Sequence, residues 1–155
     1  MKKSLSLIIV LLMCVVLIVP SVSAGEQMSQ AKAIDVKGDV TFLKSGAADW
    51  QSLKTDMVLG EGDAIKTGKY SEAKLSLFGT AKTGEVTVRE NSQFMLKTLR
   101  NDPASKTDET LLDIEIGNIL IKAEKLVGDS KFEVKTPTSI VGIRGTTFEV
   151  NVSQP

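Results

Sequence analysis

Apolar residues recur at every second position through most of this chain, and that period limits the fold more than any other feature. Ala73, Leu75 and Leu77 alternate with Lys74 and Ser76, and Val86 and Val88 with Glu85 and Thr87. Leu112, Ile114 and Ile116 alternate with Asp113 and Glu115, and Phe132 and Val134 with Lys131, Glu133 and Lys135. Successive side chains of a strand point to opposite faces, so each run predicts a half-buried strand with one wet side. No stretch of about ten residues carries the stripe that an amphipathic helix requires. Glycines separate the runs, and Gly-(Asp/Glu/Asn)-(Val/Ile) introduces a strand at Gly38, Gly84 and Gly117. The expected body is all-β, with short strands in a solenoid-like roll or a small sandwich. The clearest expected loop is Arg100–Thr110, a polar stretch containing Pro103.

One segment breaks the alternation. In "TPTSIVGIRGTTFEV", Val141 and Ile143 are odd-numbered, whereas Phe148, Val150 and Val152 (just beyond the segment) are even-numbered. A straight strand cannot bury both sets on one side. The phase has to slip at Arg144-Gly145-Thr146, where Gly145 can host a bulge or corner. Arg144 then sits beside a broken ladder with five donors in a planar fork. Two roles are open to it. As a structural clamp it would satisfy freed carbonyls or a carboxylate such as Glu61, Asp63 or Glu90; as a contact it would grip an anionic ligand or partner. Upstream, Thr136-Pro137 predicts an extended approach and a bend.

The N-terminus reads as a targeting segment. Met1-Lys2-Lys3 is followed by 22 uncharged residues, with Pro20 and then Val22-Ser23-Ala24 at the end. This is the layout of a secretory signal peptide, helical in its apolar centre and cleaved after Ala24; an uncleaved membrane anchor is the alternative. The expected organisation is a leader over residues 1–24 and one β domain over 25–155. Losing the leader removes two of 19 basic residues and none of 19 acidic ones, so the remainder carries a net charge of −2. Such a balance gives no basic footprint for nucleic acid, and contact with a membrane is expected only through an uncleaved leader.

There is no histidine, and the only cysteine, Cys14, lies in the leader. Imidazole acid–base chemistry, thiol nucleophiles, disulfides and Cys- or His-ligated metals are therefore not expected. The sequence predicts neither a catalytic residue nor a cofactor, and the protein is expected not to be an enzyme. "LGEGDAIKTGKYSEAKLSLF" contains Gly60, Gly62 and Gly68, but it lacks the helix and third glycine of a phosphate-binding loop. Its glycines read as turn positions that allow positive φ between strands, with Asp63 closing a turn through its side chain.

Taken together, these stretches resemble the FecR-type domain family. The resemblance rests on Thr136, Pro137, Arg144, Gly145, Thr146, Phe148 and Val150 in the closing segment. It rests also on Gly62, Asp63, Ile65, Thr67 and Gly68 in the central block, and on Glu90-Asn91-Ser92; it spans about Ile34 to Val152. It implies an all-β extracytoplasmic module. The best-known members are transmembrane regulators that relay a signal to a cytoplasmic sigma factor. That role needs a cytoplasmic segment before the membrane span, and here only Met1-Lys2-Lys3 precedes the apolar run.

The expectation is a stand-alone exported domain, periplasmic or on the cell surface, that binds a protein or an envelope polymer. Arg144, Gly145, Thr146, Gly62, Asp63, Thr67 and Gly68 are its candidate structural or partner-binding residues. A self-assembling structural module, and a signalling regulator acting with a separate membrane partner, are the alternatives.

Overall fold

The computed structural model describes residues 29–79 and 82–153, which contain strands and turns and no helix. The leader, with its expected helix, lies outside the described residues. Twelve strands follow in order: β1 (Gln30–Lys37), β2 (Val40–Leu43), β3 (Gln51–Ser52), β4 (Val58–Leu59), β5 (Ala64–Thr67), β6 (Glu72–Phe78), β7 (Lys82–Val88), β8 (Gln93–Asp102), β9 (Thr107–Ala123), β10 (Lys131–Lys135), β11 (Ile140–Ile143) and β12 (Thr147–Val152). The all-β expectation holds, and the alternating residues behave as their period requires. Leu75, Leu77, Val86, Val88, Leu112, Ile114 and Val134 are fully buried. Each such aliphatic side chain contributes roughly 1.5–3 kcal/mol of transfer free energy.

The strands form one curled sheet that folds back on itself, giving two layers over a shared core. One layer runs β3-β2-β5-β8 to the first half of β9 and continues through β10 to β11. The other runs β4-β1-β6-β7 to the second half of β9 and ends at β12. Pairing is antiparallel except between β9 and β10. Strand β9 thus belongs to both layers: residues 107–116 pair with β8 and residues 119–123 with β7. It changes layers at Gly117, where φ is +112°. Its buried residues change parity there, from Leu112 and Ile114 to Ile119, Ile121 and Ala123. A side chain at 117 would fall onto Ser92, including its backbone, so glycine is required sterically as well as conformationally.

Three further crossings lie beside this one. Chain passes between layers from β1 to β2 at Gly38-Asp39, from β5 to β6 at Gly68–Ser71, and from β7 to β8 at Arg89–Ser92. Backbone hydrogen bonds join them in a row: Gly68 N–H donates to the Asp39 carbonyl (2.8 Å), Asn91 N–H to that of Gly68 (3.1 Å), and Arg89 N–H to that of Asn118 (3.0 Å). This seam supplies partners for backbone groups that leave the ladders as the chain turns, as buried amides require.

The ends of the two layers differ. At the first end the edges are β3 and β4, two residues each, joined by a segment that packs Leu53 into the core at 4% exposure. Very short strands flanked by charges, here Lys54 and Asp56 in the joining segment, are a recognised way of blunting an edge. At the other end β11 and β12 are longer, and Ile140 and Val141 remain 64% and 46% exposed.

The stretch Arg100–Thr110, expected as a loop, is largely strand. Pairing of β8 with β9 continues out to Asp102 opposite Thr107, leaving a four-residue turn. Leu99, Asn101 and Thr110 are buried there, because polar residues in a hairpin stem can satisfy their backbones through the ladder.

Candidate functional site

The seam has a gap at its last position. Strand β10 runs parallel to β9, so its end at Lys135 points toward the seam, where Thr136–Ser139 turns the chain into β11. This turn is closed on itself: Thr136 N–H donates to the Ser139 carbonyl (2.8 Å), and Ser139 N–H donates to Thr136 Oγ1 (3.1 Å). In the other layer β12 runs antiparallel to β9 and finishes with Val152 opposite Gly117. The turn and the end of β12 therefore flank the place beside Asn118 where a further crossing strand would lie. An open groove of about 790 Å³ occupies it. Val134, Val141, Phe148, Val150 and Val152 supply its apolar walls. Its rim carries hydroxyls from Thr136, Thr138 and Ser139 and the carboxylate of Glu115, with no lysine or arginine among the lining residues.

The outer face of β12 is fixed independently of the groove. Glu149 Oε1 accepts from Arg89 Nη1 (3.0 Å) and from Asn118 Nδ2 (2.6 Å). Because alternate residues point to opposite faces, this holds Phe148, Val150 and Val152 toward the groove. They are only half buried.

The central block plays a structural part. Asp63 is 1% exposed and accepts from Gly60 N–H (2.9 Å), Ser45 N–H (2.9 Å) and Lys44 Nζ (2.8 Å), closing the expected turn with three donors. Gly62 has φ +84°, as a turn glycine should. Gly60 and Gly68 do not, which corrects the expectation that all three glycines serve positive φ; Gly68 instead packs against Asp39 (3.3 Å from an added Cβ) and joins the seam. Thr67 Oγ1 donates to the Arg89 carbonyl (2.6 Å) and accepts from Ser92 N–H (3.0 Å). Glu90 Oε2 accepts from Tyr70 N–H (2.7 Å), and Ser92 Oγ accepts from Asn118 N–H (3.0 Å) at the bend of β9.

The closing motif lies elsewhere. Gly145 adopts φ +65° and turns the chain from β11 in one layer to β12 in the other, as the phase slip requires. Thr146 contributes its carbonyl to Ala123 N–H (3.0 Å). Arg144 departs from the clamp expectation: it is exposed, and makes no hydrogen bond or ion pair with another described residue. The carboxylates proposed for it are engaged by others. Asp63 holds Lys44, Glu90 holds Tyr70, and Glu61 accepts from Arg100 Nη2 (3.0 Å) and Nε (3.2 Å). That guanidinium, helped by Leu99 N–H, holds the Glu61 carboxyl below its ordinary pKa despite partial burial. The physical reason is distance: the corner at 144–146 stands beyond the far end of β9, away from the seam.

A family model described as FecR protein matches residues 63–155. The chain belongs to the FecR family. The match takes in Asp63, Thr67, Gly68, Arg144, Gly145 and Thr146, and begins after Gly62 and β1–β4. It is narrower than the resemblance from Ile34 onward, although β1 and β2 contribute Ala31, Ala33, Val40 and Phe42 to the same core. No curated protein matches the chain, and no solved structure does either.

For this FecR protein the sequence did not single out the groove. Alternation tells which side of Phe148, Val150 and Val152 is apolar and not whether anything covers it.

Proposed function

We propose that this FecR-family chain is an exported, non-enzymatic binding module of the cell envelope, which captures an extended segment of a partner protein along β12. One observation carries the reading: the seam ends beside Asn118 in an apolar groove bounded by the unblunted edges of β11 and β12. An added strand would hydrogen-bond to the free edge of β12 and lay alternate apolar side chains beside Phe148, Val150 and Val152. The rim carboxylate of Glu115 favours a segment that is neutral or basic. The leader-like N-terminus supports export, and the absence of histidine and of cysteine beyond Cys14 supports a non-catalytic role. Signalling through a separate membrane partner is compatible with such capture, because a binding event at one edge is what a relay must detect.

A random peptide library displayed against the immobilised protein tests this reading. Enriched peptides should alternate apolar residues, should perturb the amide resonances of β12 and of Thr136–Ser139, and should be lost with Val150→Lys. No enrichment, or identical enrichment with Val150→Lys, would refute strand capture.

A further inference from the structure

A second feature, independent of the groove, is the conformation of Tyr70. Its φ is +57°, in the left-handed region, where a bulky aromatic residue is a true outlier and glycine or asparagine would be the ordinary occupant. The strain is not offset by packing of the ring, which is 80% exposed, the most open of the exposed large hydrophobic residues. The backbone is nevertheless held firmly, with Tyr70 N–H on Glu90 Oε2 at 2.7 Å and the neighbouring Ser71 hydroxyl accepting from Asp39 N–H at 2.8 Å. Lys69 Nζ lies over one face of the ring, 4.7 Å from its centre, which leaves the other face for a visitor. The crossing at Gly68–Ser71 uses this left-handed turn, but nothing in it needs an aromatic side chain, and a bulky residue kept where glycine would serve points to function.

The surroundings indicate the chemistry. Tyr70 edges a surface pocket of about 450 Å³ with Lys37, Ser71, Glu72, Arg89 and Glu90. The lining carries two cations and two carboxylates, and Lys69 is spent on the ring, so the pocket selects for neither a polyanion nor a polycation. Donors and acceptors in equal supply around a single rigid aromatic suit a neutral, hydroxyl-rich ligand that offers an apolar C–H face to the ring. We propose that Tyr70 is the stacking platform of a saccharide-binding site, with Glu72, Glu90, Lys37 and Arg89 contacting sugar hydroxyls. Lys37 and Arg89 already pair with Asp35 and Glu149, and each keeps donors to spare. A protein interface would require a wider apolar centre than one ring provides.

The test titrates the protein, expressed from its full sequence, with two soluble probes, a β-1,4-linked N-acetylglucosamine tetramer and cellotetraose, by calorimetry and NMR. Saturable binding of at least one probe is expected, with shifts at Tyr70 and Glu90. Tyr70→Ala should weaken it by about tenfold or more, Tyr70→Phe should retain it, and Val150→Lys in the groove should leave it unchanged. Matching thermal melts of the variants would exclude unfolding as the cause. The proposal is overturned if neither tetramer binds at millimolar concentration, if Tyr70→Ala binds as the parent does, or if Val150→Lys abolishes binding equally. It is likewise overturned if neither tetramer binds while Tyr70 supports sedimentation with phosphatidylcholine–phosphatidylglycerol vesicles.

Discussion

Gly117 and Gly145 solve one geometric problem in two environments. Each carries the chain from one layer to the other in a positive-φ conformation, and the apolar residues change parity across each. At Gly117 the corner lies inside the seam, pressed against Ser92, with Asn118 bonded on both sides. At Gly145 the corner lies on the rim against Lys125, and its arginine has no partner among the described residues. The same device therefore builds the fold where it is enclosed. Where it is open, it leaves a cation and two free strand edges facing outward.

Substitutions should separate the two corners. Gly117→Ala is expected to cost more than about 4 kcal/mol, because the methyl meets the backbone of Ser92 as well as an unfavourable φ; urea unfolding or loss of soluble protein reads this out. If it were tolerated, the enclosed corner would be no different from the exposed one. Gly145→Val should cost less, about 1–3 kcal/mol, since a Cβ there stands 3.0 Å from Lys125 Cα in a loop with more room to yield. Equal melting temperatures for this variant and the parent would remove the need for a glycine corner. Arg144→Ala is the smallest, expected within about 0.5 kcal/mol of the parent in stability. A larger loss would show that the arginine is a clamp after all.

The alternation was enough to give the class of fold and most of the core, because burial on one face of a strand follows directly from period two. It also located the corner at Gly145, through the parity of Ile143 and Phe148. The same parity change between Ile114 and Ile119 was present but read as a turn before a new strand, since Gly117-Asn118 resembles the start of one. Nothing local distinguishes a turn that ends a strand from a bend within it; the partners β7 and β8 on either side make the difference. Asp63 was legible as a turn closer because its role is short-range, reaching Gly60 three residues away. Its bonds to Lys44 and Ser45, and Arg100 taking Glu61, depend on distant strands meeting. The two roles of Arg144 stay open in the sequence for a related reason: a fork of donors announces capacity, and only the tertiary fold says which acceptors come within reach.

The blunt first end of the molecule also sets a stoichiometry. A guest strand laid on β12 leaves its own outer edge exposed, and two-residue strands at the start of another copy have almost no ladder to offer it. On the proposed strand capture, growth by head-to-tail stacking is accordingly expected to stop after one addition. Occupancy should follow a simple saturation curve at one guest per molecule, without the lag or concentration threshold of a filament.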